Sequence, residues 1–504
     1  MKRRSLACAL LYVGFAGAAA KPQPDWTVVY GSLDGCEGRA VELLTSELGD
    51  ILLREPGRYA THVLPCRSAE EMTSVTGNVF LVGTPTSNRA LTDYLPSAGI
   101  PDGGYVVRCV ADKARDVIVM AGATPAAVIW AVSDFCLDGM TALQPHRGNG
   151  IYFPREVFAD PDTFRSGRRI CKNKQSAYEV SRAPQTRIRS IFTWAHPIDD
   201  YREYLRNMAR LKLNRVYLWN DYPPLNAKEI VEWAHSWGIE VFWGFPWGWD
   251  TDCRARGRSD QARLAASVLE DWRKNWRDLP GDGIYFQTFT ETSGEKIGDE
   301  TIAQLAVRLV NEVAAEILKE KPDQRIVFGL HATSVRNEMD TIAKVNPRLE
   351  ILWEDPPQYP YSINFPSSMR DGKKDFAFVD EIISDKKHPV GIVWKSQLLQ
   401  DWHYWRHQAG PYVLGVTSRR TYEADKMLQD QLWKNYTAKW IENASVAWGE
   451  AKRVHDVGAH VELNCAVMFN GPIRFPTAFM AEIFFSTTEP VEVVLHRVLS
   501  RCRQ

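Results

Sequence analysis

Three carboxylates in the chain stand where acid–base chemistry could take place. Glu291 ends the apolar run Gly283–Glu291, which is rich in residues typical of strands. Glu354 and Asp355 directly follow a second such run, Leu349–Trp353. One carboxyl group that protonates an oxygen, together with a second that acts as base or nucleophile, can break a glycosidic bond.

The carboxylates differ in the role that their positions predict. The Phe-rich strand before Glu291 predicts apolar surroundings, which favour the protonated form of a carboxylic acid. Glu291 is therefore the candidate general acid, and Glu354 or Asp355 is the candidate second group. The two predicted strands are not neighbours, and a separation of about 6.5–9.5 Å would admit a water molecule and favour inversion. Glu291 could instead cap the following helix or pair with Lys296, and Glu354 and Asp355 could be loop residues held by an arginine.

Aromatic and polar side chains stand at the ends of the same kind of apolar run. Indole rings stack on the apolar faces of sugars, while amide, carboxylate, imidazole and ammonium groups bond their hydroxyls. The residues that we expect to contact a sugar are Trp219, Asn220, Asp221, Trp247, Trp249, His331, Trp353, Trp394, Lys395, Trp402 and His403. Asp221 could instead set a turn, His331 could be structural, and Lys395 would bind an anionic group only if it faces the substrate.

The segments that contain these residues alternate between short apolar runs and stretches with helical spacing. The predicted strands are Ile188–Trp194, Asn214–Trp219, Gly238–Gly244, Gly283–Glu291, Arg325–Leu330, Leu349–Trp353 and Val390–Trp394. Such alternation indicates right-handed crossovers and a parallel sheet, and so many units in series favour a (β/α)8 barrel. The eighth strand is expected at Tyr412–Gly415 or at Val461–Phe469. The loops after barrel strands meet at one rim, so the candidate residues should surround one mouth.

The chain divides around this barrel into five parts. They are a signal peptide at 1–20, a small α/β accessory domain at 21–136, a linker at 137–185, the barrel core at 186–420, and a helical region at 421–504 that completes or flanks the barrel. The signal is indicated by a basic start, a short apolar run and small residues near Ala20. In the accessory domain, a hairpin turns around Lys113, and a helix starts at Pro125 with Thr124 as its N-cap. The tail Ala478–Arg501 is expected to form one final helix.

Charge and cysteine content limit the classes of partner and cofactor that we expect. The formal net charge of −1 does not suggest a nucleic acid or a membrane surface as a partner. No run after the signal is apolar and long enough to span a membrane, so a secreted or periplasmic protein is expected. The cysteines show no Cys-x-x-Cys spacing, and no strand-to-helix turn has a glycine-rich phosphate fingerprint. We therefore expect neither a metal nor a cofactor, and a glycan as the partner.

The N-terminal domain and the position of Glu291 resemble known carbohydrate-active proteins. Gly104-Tyr105, followed by Val117–Pro125 and an apolar helix, resembles the accessory domain that precedes the barrel in β-N-acetylhexosaminidases and α-glucuronidases. In these barrels the acid glutamate follows the fourth strand, where Glu291 stands. Hexosaminidases place an aspartate directly before that glutamate, whereas this chain has Thr290. The resemblance implies a barrel glycoside hydrolase and leaves its family open.

These observations together favour an exported glycoside hydrolase that acts on a glycan, with an α-glucuronidase-like activity and Glu291 as its acid. A hexosaminidase-like or sialidase-like enzyme is an alternative. A non-catalytic glycan-binding protein that keeps the barrel and its tryptophan-lined cleft is another, because a fold does not decide a function. Without Glu291 a binding protein would keep its affinity, whereas an enzyme would lose rate.

Overall fold

A computed structural model of the chain describes residues 26–53, 66–112, 115–136, 179–193, 198–220, 222–248, 258–292, 294–331, 334–354, 379–384, 387–395, 411–415, 420, 423–424, 427, 438–466 and 473–502. The expected signal peptide and most of the expected linker lie outside these residues. Within the described ranges, no helix is both long and apolar enough to cross a membrane.

The N-terminal part forms a six-stranded mixed sheet. Its strands are β1 (Trp26–Tyr30), β2 (Cys66–Ser68), β3 (Asn78–Gly83), β4 (Tyr105–Asp112), β5 (Arg115–Gly122) and β6 (Glu179–Arg182), in the order β2-β1-β3-β5-β4-β6. The predicted hairpin is the antiparallel pair β4/β5. β6 falls in the range expected to be a linker, because four residues with a single apolar side chain give a weak strand signal.

Helices α1 (Gly35–Leu53) and α2 (Pro125–Asp134) belong to this domain. The side chain of Thr124 accepts a hydrogen bond from the backbone N–H of Ala127, so the predicted N-cap is confirmed. Seven of the ten residues of α2 are apolar, and the helix is buried from Ala127 onward. It packs against both α1 and helix α3 (Tyr201–Arg210) of the following domain.

Eight parallel strands close into a barrel, as predicted. They are β7 (Arg189–Phe192), β8 (Arg215–Trp219), β9 (Glu240–Pro246), β10 (Gly283–Gln287), β13 (Ile326–Leu330), β14 (Glu350–Trp353), β15 (Val390–Trp394) and β16 (Glu462–Ala466), while β11 (Lys296–Ile297) and β12 (Glu300–Thr301) form a separate ribbon. β16 closes the barrel by pairing with β15 and β7. The range 461–469 is therefore confirmed as the source of strand eight. The alternative prediction, a strand at Tyr412–Gly415, is wrong, because this segment ends in a turn in which Gly415 has a φ of +77°.

Helices cover the outside of the barrel. After α3 these are α4 (Ala227–Ser236), α5 (Arg258–Asp271), α6 (Ile302–Glu320), α7 (Met339–Ile342), α8 (Ala444–Val457), α9 (Phe475–Phe485) and α10 (Val491–Arg501). The expected single helix at Ala478–Arg501 is wrong, because the chain is extended at Ser486 and α10 begins only after Pro490. A proline disfavours the helical conformation in the residue before it, which suits Pro490 to its place as the N-cap of α10.

The pleat of the barrel strands sends alternate side chains inward and outward. The inward aromatic and aliphatic residues form one buried cluster, Phe192, Tyr217, Trp219, Phe242, Tyr285, Val327, Leu352 and Val393. The outward residues join a larger core that includes the helices and the accessory domain. This alternation decides which residues at a strand end can reach the mouth, the end of the barrel where the strands terminate.

A buried ion network fills the end of the barrel where the strands begin. The Arg215 guanidinium lies 2.8 Å from Glu240 and 2.7 Å from both Glu350 and Glu462. Arg325 bridges Glu240 and Glu350 at 2.7 and 3.3 Å. Burial alone would lower the pKa of Arg215, but the facing carboxylates raise it well above its ordinary value. The network ties together the start of five barrel strands.

A second buried cluster joins the accessory domain, the barrel and the C-terminal helices. The Nζ atom of Lys212, between α3 and β8, lies 2.6 Å from Asp134 of α2 and 2.6 Å from Glu482 of α9. Arg182 of β6 contacts the same two carboxylates at 3.3 and 2.9 Å. Tyr105 donates its hydroxyl hydrogen to Asp134. These contacts fix the accessory domain against the barrel.

We expect Lys212→Met to lower the free energy of unfolding by about 3–5 kcal/mol, because two buried carboxylates lose a cationic partner. The control is Lys228→Met, since Lys228 lies on the surface and is 3.8 Å from Glu232, which is also exposed. That control should change stability by less than about 0.5 kcal/mol. Chemical denaturation followed by circular dichroism measures both. Equal effects of the two substitutions would contradict a stabilising role for the cluster.

The pair of His235 and Asp282 predicts pH-dependent stability. Their side chains are 2.9 Å apart, and Asp282 also accepts the N–H of Val241 at 2.7 Å. The hydrogen bond to Asp282 raises the pKa of His235 above 6.5, although burial opposes the shift. Folding therefore favours the protonated imidazole. Its stabilising contribution is complete below pH 6.5 and is lost as the pH rises through the folded-state pKa.

We therefore expect His235→Asn to flatten the fall in melting temperature of the wild type between about pH 6 and pH 8. Differential scanning calorimetry at several pH values checks this. An unchanged pH profile in the variant would show that the pair does not contribute.

Candidate active site

Three consecutive strands of the barrel bring Glu291, His331 and Glu354 to the mouth. β13 pairs with β10 on one side and with β14 on the other. Glu291 follows β10 after a turn of three residues, and His331 and Glu354 directly follow β13 and β14. The imidazole ring lies between the carboxylates. His331 Nδ1 is 3.9 Å from Glu291 Oε2, and Nε2 is 3.3 Å from Glu354 Oε1.

Glu354 is a fully buried anion with partners on both oxygens. Its Oε1 accepts hydrogen bonds from Tyr285 and Gln287, and its Oε2 lies 3.7 Å from the Nζ of Lys395. Burial alone would raise the pKa of Glu354, but His331, Lys395 and the hydrogen bonds lower it to about 2. Glu354 therefore stays ionised at neutral and mildly acidic pH.

Residues of the neighbouring strands make room for this anion and surround it with hydrogen-bond donors in place of water. Burial and the Glu354 charge raise the pKa of Tyr285 well above its ordinary value, so Tyr285 remains a hydrogen-bond donor. Gln287 also lies 3.1 Å from the Tyr285 hydroxyl. Gly329 of β13 is essential to the geometry, because a Cβ at this position would overlap the Tyr285 hydroxyl and lie 2.9 Å from Glu354 Oε1.

Glu291 lies at the surface of the mouth, with 49% of its side chain exposed. The structure therefore does not show the apolar surroundings that the sequence predicted for Glu291. Phe289 and Thr290 are buried in the turn, and the chain then carries Glu291 outward. Ser334 fixes this turn by donating its hydroxyl hydrogen to the Thr290 carbonyl at 2.5 Å. The alternative in which Glu291 caps the following helix is wrong, because Thr301 is the N-cap of α6.

The structure does not bring Trp247, Trp353 and Trp394 to the mouth. Each is fully buried. The Trp394 ring packs edge-on against Phe484 of α9 with centroids 4.9 Å apart, and Trp247 stacks on Phe286 at 3.6 Å. The physical reason is the pleat, since Glu354 and Lys395 point inward and the tryptophan directly before each must point outward.

Of the remaining expected site residues, four are buried at or near strand ends and five lie outside the described residues. Trp219 faces the barrel interior, 6.0 Å from Tyr285, with 5% of its surface exposed. Asn220, His331 and Lys395 are also buried with a small exposed fraction. The positions that lie outside the described residues are Asp221, Trp249, Asp355, Trp402 and His403. Their roles stay predictions.

Sequence reasoning missed Tyr285, Gln287 and Gly329. Tyr285 and Gln287 stand two residues apart on a predicted strand that ends near a candidate carboxylate, so the period of two places them on one face. Gly329 lies inside a predicted strand, where a glycine indicates a close approach of other groups. As for metals, the described part of the chain contains no group of three or more His, Cys, Asp or Glu residues that could hold an ion.

Comparisons with known proteins support the fold. No protein-family model matches the chain, and no curated protein matches it significantly. Among solved structures, it is similar to BtGH115A, a GH115 4-O-methyl-α-glucuronidase with specificity for decorated arabinogalactans, with a TM-score of 0.52 and 14% identity over 95% of this chain and 59% of that one. The chain therefore spans less than two thirds of that enzyme.

Two further solved structures are similar to the chain with TM-scores below 0.5. A GH138 enzyme targeting pectin rhamnogalacturonan II gives 0.46 at 12% identity over 93% of this chain and 51% of that one. CpGH84D gives 0.40 at 10% identity over 86% and 81%. All three are glycoside hydrolases by name, and the expected barrel with an α/β accessory domain is confirmed as the architecture of this chain.

We expect Gly329→Ala to destabilise the fold by about 1–3 kcal/mol, because the added methyl group forces Tyr285 and Glu354 apart. Gly449→Ala is the matched control, since a Cβ at Gly449 in α8 meets nothing within 4 Å. The control should be neutral or stabilising by up to about 1 kcal/mol. Thermal unfolding of both variants tests the close approach, which a neutral Gly329→Ala would contradict.

Proposed function

We propose that the protein is a glycoside hydrolase whose general acid is Glu291. The observation that carries this proposal is the position of Glu291 at the C-terminal rim of a closed (β/α)8 barrel. There it is open to a substrate on one side and is backed on the other by His331, 3.9 Å away. Active sites of such barrels form at this rim. A carboxylic acid that reaches a bound glycan can protonate the leaving oxygen as the glycosidic bond breaks.

Within this class we propose an α-glucuronidase-like activity on a glycan that contains a uronic acid. Two observations support it. The fold resembles that of an enzyme named as a 4-O-methyl-α-glucuronidase. Lys395 and His331 also stand at strand ends beside Glu354, and their N–H groups could bond a carboxylate of the substrate. The basic, apolar start of the sequence supports export, which would place the enzyme where plant or host glycans occur.

A non-catalytic glycan-binding protein is the second candidate, favoured by one observation. Glu354 is fully buried with partners on both oxygens, so it is poorly placed to act as the second carboxylate of a hydrolase. Cleavage usually needs such a group. Hydrolysis would then depend on a carboxylate other than Glu354.

The test is product release from a panel of glycans and aryl glycosides, measured by mass spectrometry. We expect the wild type to release a sugar and Glu291→Gln to be slower by about 100- to 10,000-fold on natural linkages, because it cannot protonate the leaving group. The control is Glu295→Gln, the same change four positions along the same loop, where Glu295 bonds to Asn337 at 3.2 Å. The control should keep the wild-type rate.

Each other outcome has a definite meaning. Equal rates for wild type and Glu291→Gln would remove Glu291 from the acid role. Binding of a glycan by both proteins with no release from any substrate would favour the binding protein.

A further inference from the structure

We propose that two segments at the rim of the barrel form a second glycan-binding surface beside the mouth, which binds a neutral sugar unit of the same glycan that reaches Glu291. The segments are residues 222–226, which follow β8, and residues 412–415. Their exposed apolar side chains, Tyr222, Leu225 and Val413, are the rim patch. This inference rests on the proposed function and deepens it, because it predicts a substrate of several linked sugars.

The rim patch is a concentration of exposed apolar side chains. Seven large apolar side chains are exposed in the described part of the chain, and three of them belong to these two short segments. Leu225 has 70% of its surface exposed. Neither segment contains Asp, Glu, Lys, Arg or His. Exposed apolar groups that cluster in this way mark a binding site, and the lack of charge indicates a neutral partner.

The two segments hold each other in a fixed arrangement. The N–H of Leu225 donates to the carbonyl of Tyr412 at 2.8 Å. The side chain of Asn226 completes the pairing, since its Nδ2 donates to the Leu414 carbonyl and its Oδ1 accepts the Leu414 N–H, both at 2.9 Å. Two prolines restrict the backbone between Tyr222 and Leu225. A ligand therefore binds without the cost of ordering these segments.

Residues 412–415 also pack on the start of α3. Gly415 has a φ of +77°, and a Cβ there would lie 2.6 Å from the backbone nitrogen of Tyr201, the first residue of α3. This close approach places the segment beside the loop that follows β7. Since β7 pairs with β8, both segments lie at the C-terminal ends of neighbouring strands, on the same rim as Glu291.

The rim patch is close enough to the candidate acid to contact the same glycan. Glu291 follows β10, and only β9 stands between β8 and β10 in the barrel. Adjacent strands are about 4.8 Å apart, so the ends of β8 and β10 are separated by about 10 Å. Linked sugar rings can bridge such a distance. A glycan whose reacting bond lies at Glu291 can therefore place a further sugar on the patch.

A sugar fits the rim patch better than a protein does. Three partly exposed side chains offer on the order of 300 Å² of apolar surface, whereas a stable protein interface needs about 800 Å² from each partner. A sugar ring has a small apolar face that stacks on an aromatic ring, and its hydroxyl groups can bond to the hydroxyl of Tyr222. The patch therefore suits one sugar unit and is too small for a second copy of this chain.

Two substitutions at Tyr222 and two substrates test the patch. Tyr222→Ala removes the aromatic ring, and Tyr222→Phe keeps it. One substrate is a longer oligosaccharide that carries the sugar identified in the glycan panel. The other is the glycosyl fluoride of the same sugar, which has no further sugar unit to reach the patch. Mass spectrometry follows the first reaction, and a fluoride electrode follows the second.

We expect Tyr222→Ala to lower kcat/KM on the oligosaccharide by about 10-fold, mainly through a higher KM, and to change little on the fluoride. Tyr222→Phe should keep most of the wild-type rate on both. Val413→Ala should lose about 2- to 3-fold on the oligosaccharide alone. Its matched control is Val493→Ala, since Val493 in α10 is 45% exposed and Val413 is 43% exposed. The control should change neither rate.

Three outcomes would overturn the proposal. A folded Tyr222→Ala that equals the wild type on the oligosaccharide would show that no sugar lies on the patch. A folded Tyr222→Ala that loses rate equally on both substrates would show that Tyr222 merely supports the mouth. A wild-type dimer in analytical ultracentrifugation that Leu225→Ala converts to a monomer would assign the patch to a contact between copies.

A binding measurement tests the patch independently of hydrolysis. Native gels that contain glucuronoxylan, pectin or hyaluronan, which are soluble polysaccharides with uronic acids, retard a protein that binds them. We expect at least one gel to retard Glu291→Gln, and this retardation to fall when Tyr222→Ala is added. If the wild type released no sugar, the proposed function would fail, while this difference would still support the patch. Equal migration of the two proteins in every gel would overturn it.

Discussion

A charged side chain that leaves water is costly unless other groups compensate its charge, and pairing with opposite charges organises the barrel at both ends and at its junction with the accessory domain. Arg215 forms ion pairs with three carboxylates at the end of the barrel where the strands begin. Lys212 joins two carboxylates from distant parts of the chain. Glu354 is held at the mouth by His331 and Lys395. Since these clusters lie deep and link separate elements, the strands cannot shift without exposing or separating a charge.

The pleat of the strands explains which parts of the site could be predicted. Glu354 and Lys395 were found because polar residues directly follow apolar runs, and the barrel turns them inward. Trp353 and Trp394 were assigned to the same surface although each directly precedes one of those residues. Successive residues of a strand face opposite sides, so only one member of each pair could reach the mouth. Applying the period of two to every strand end would have separated them.

Elements that depend on neighbouring residues could be predicted from the sequence. Elements that depend on contacts between distant parts of the chain were harder to predict. Thr124 with Pro125 marks a helix start from sequence alone, and the structure has that cap. β6 was missed because its four residues form a strand only through pairing with β4. The position of strand eight was ambiguous, since β16 lies far along the chain from the regular alternation of strands and helices. Gly329 shows the same limit, because its role depends on Tyr285 of the neighbouring strand.

The pairing of β16 with β7 also has a consequence for synthesis on the ribosome. Ser190 and Glu462 bond across this seam although 272 positions separate them. Until the segment that forms β16 emerges, β7 and β15 each have an unpaired edge, so the nascent sheet stays open while most of the protein is made. Open edges recruit strands of other chains, and closure over such a long loop is slow. Expression of this protein should therefore depend on chaperones that shield those edges until the last strand is inserted.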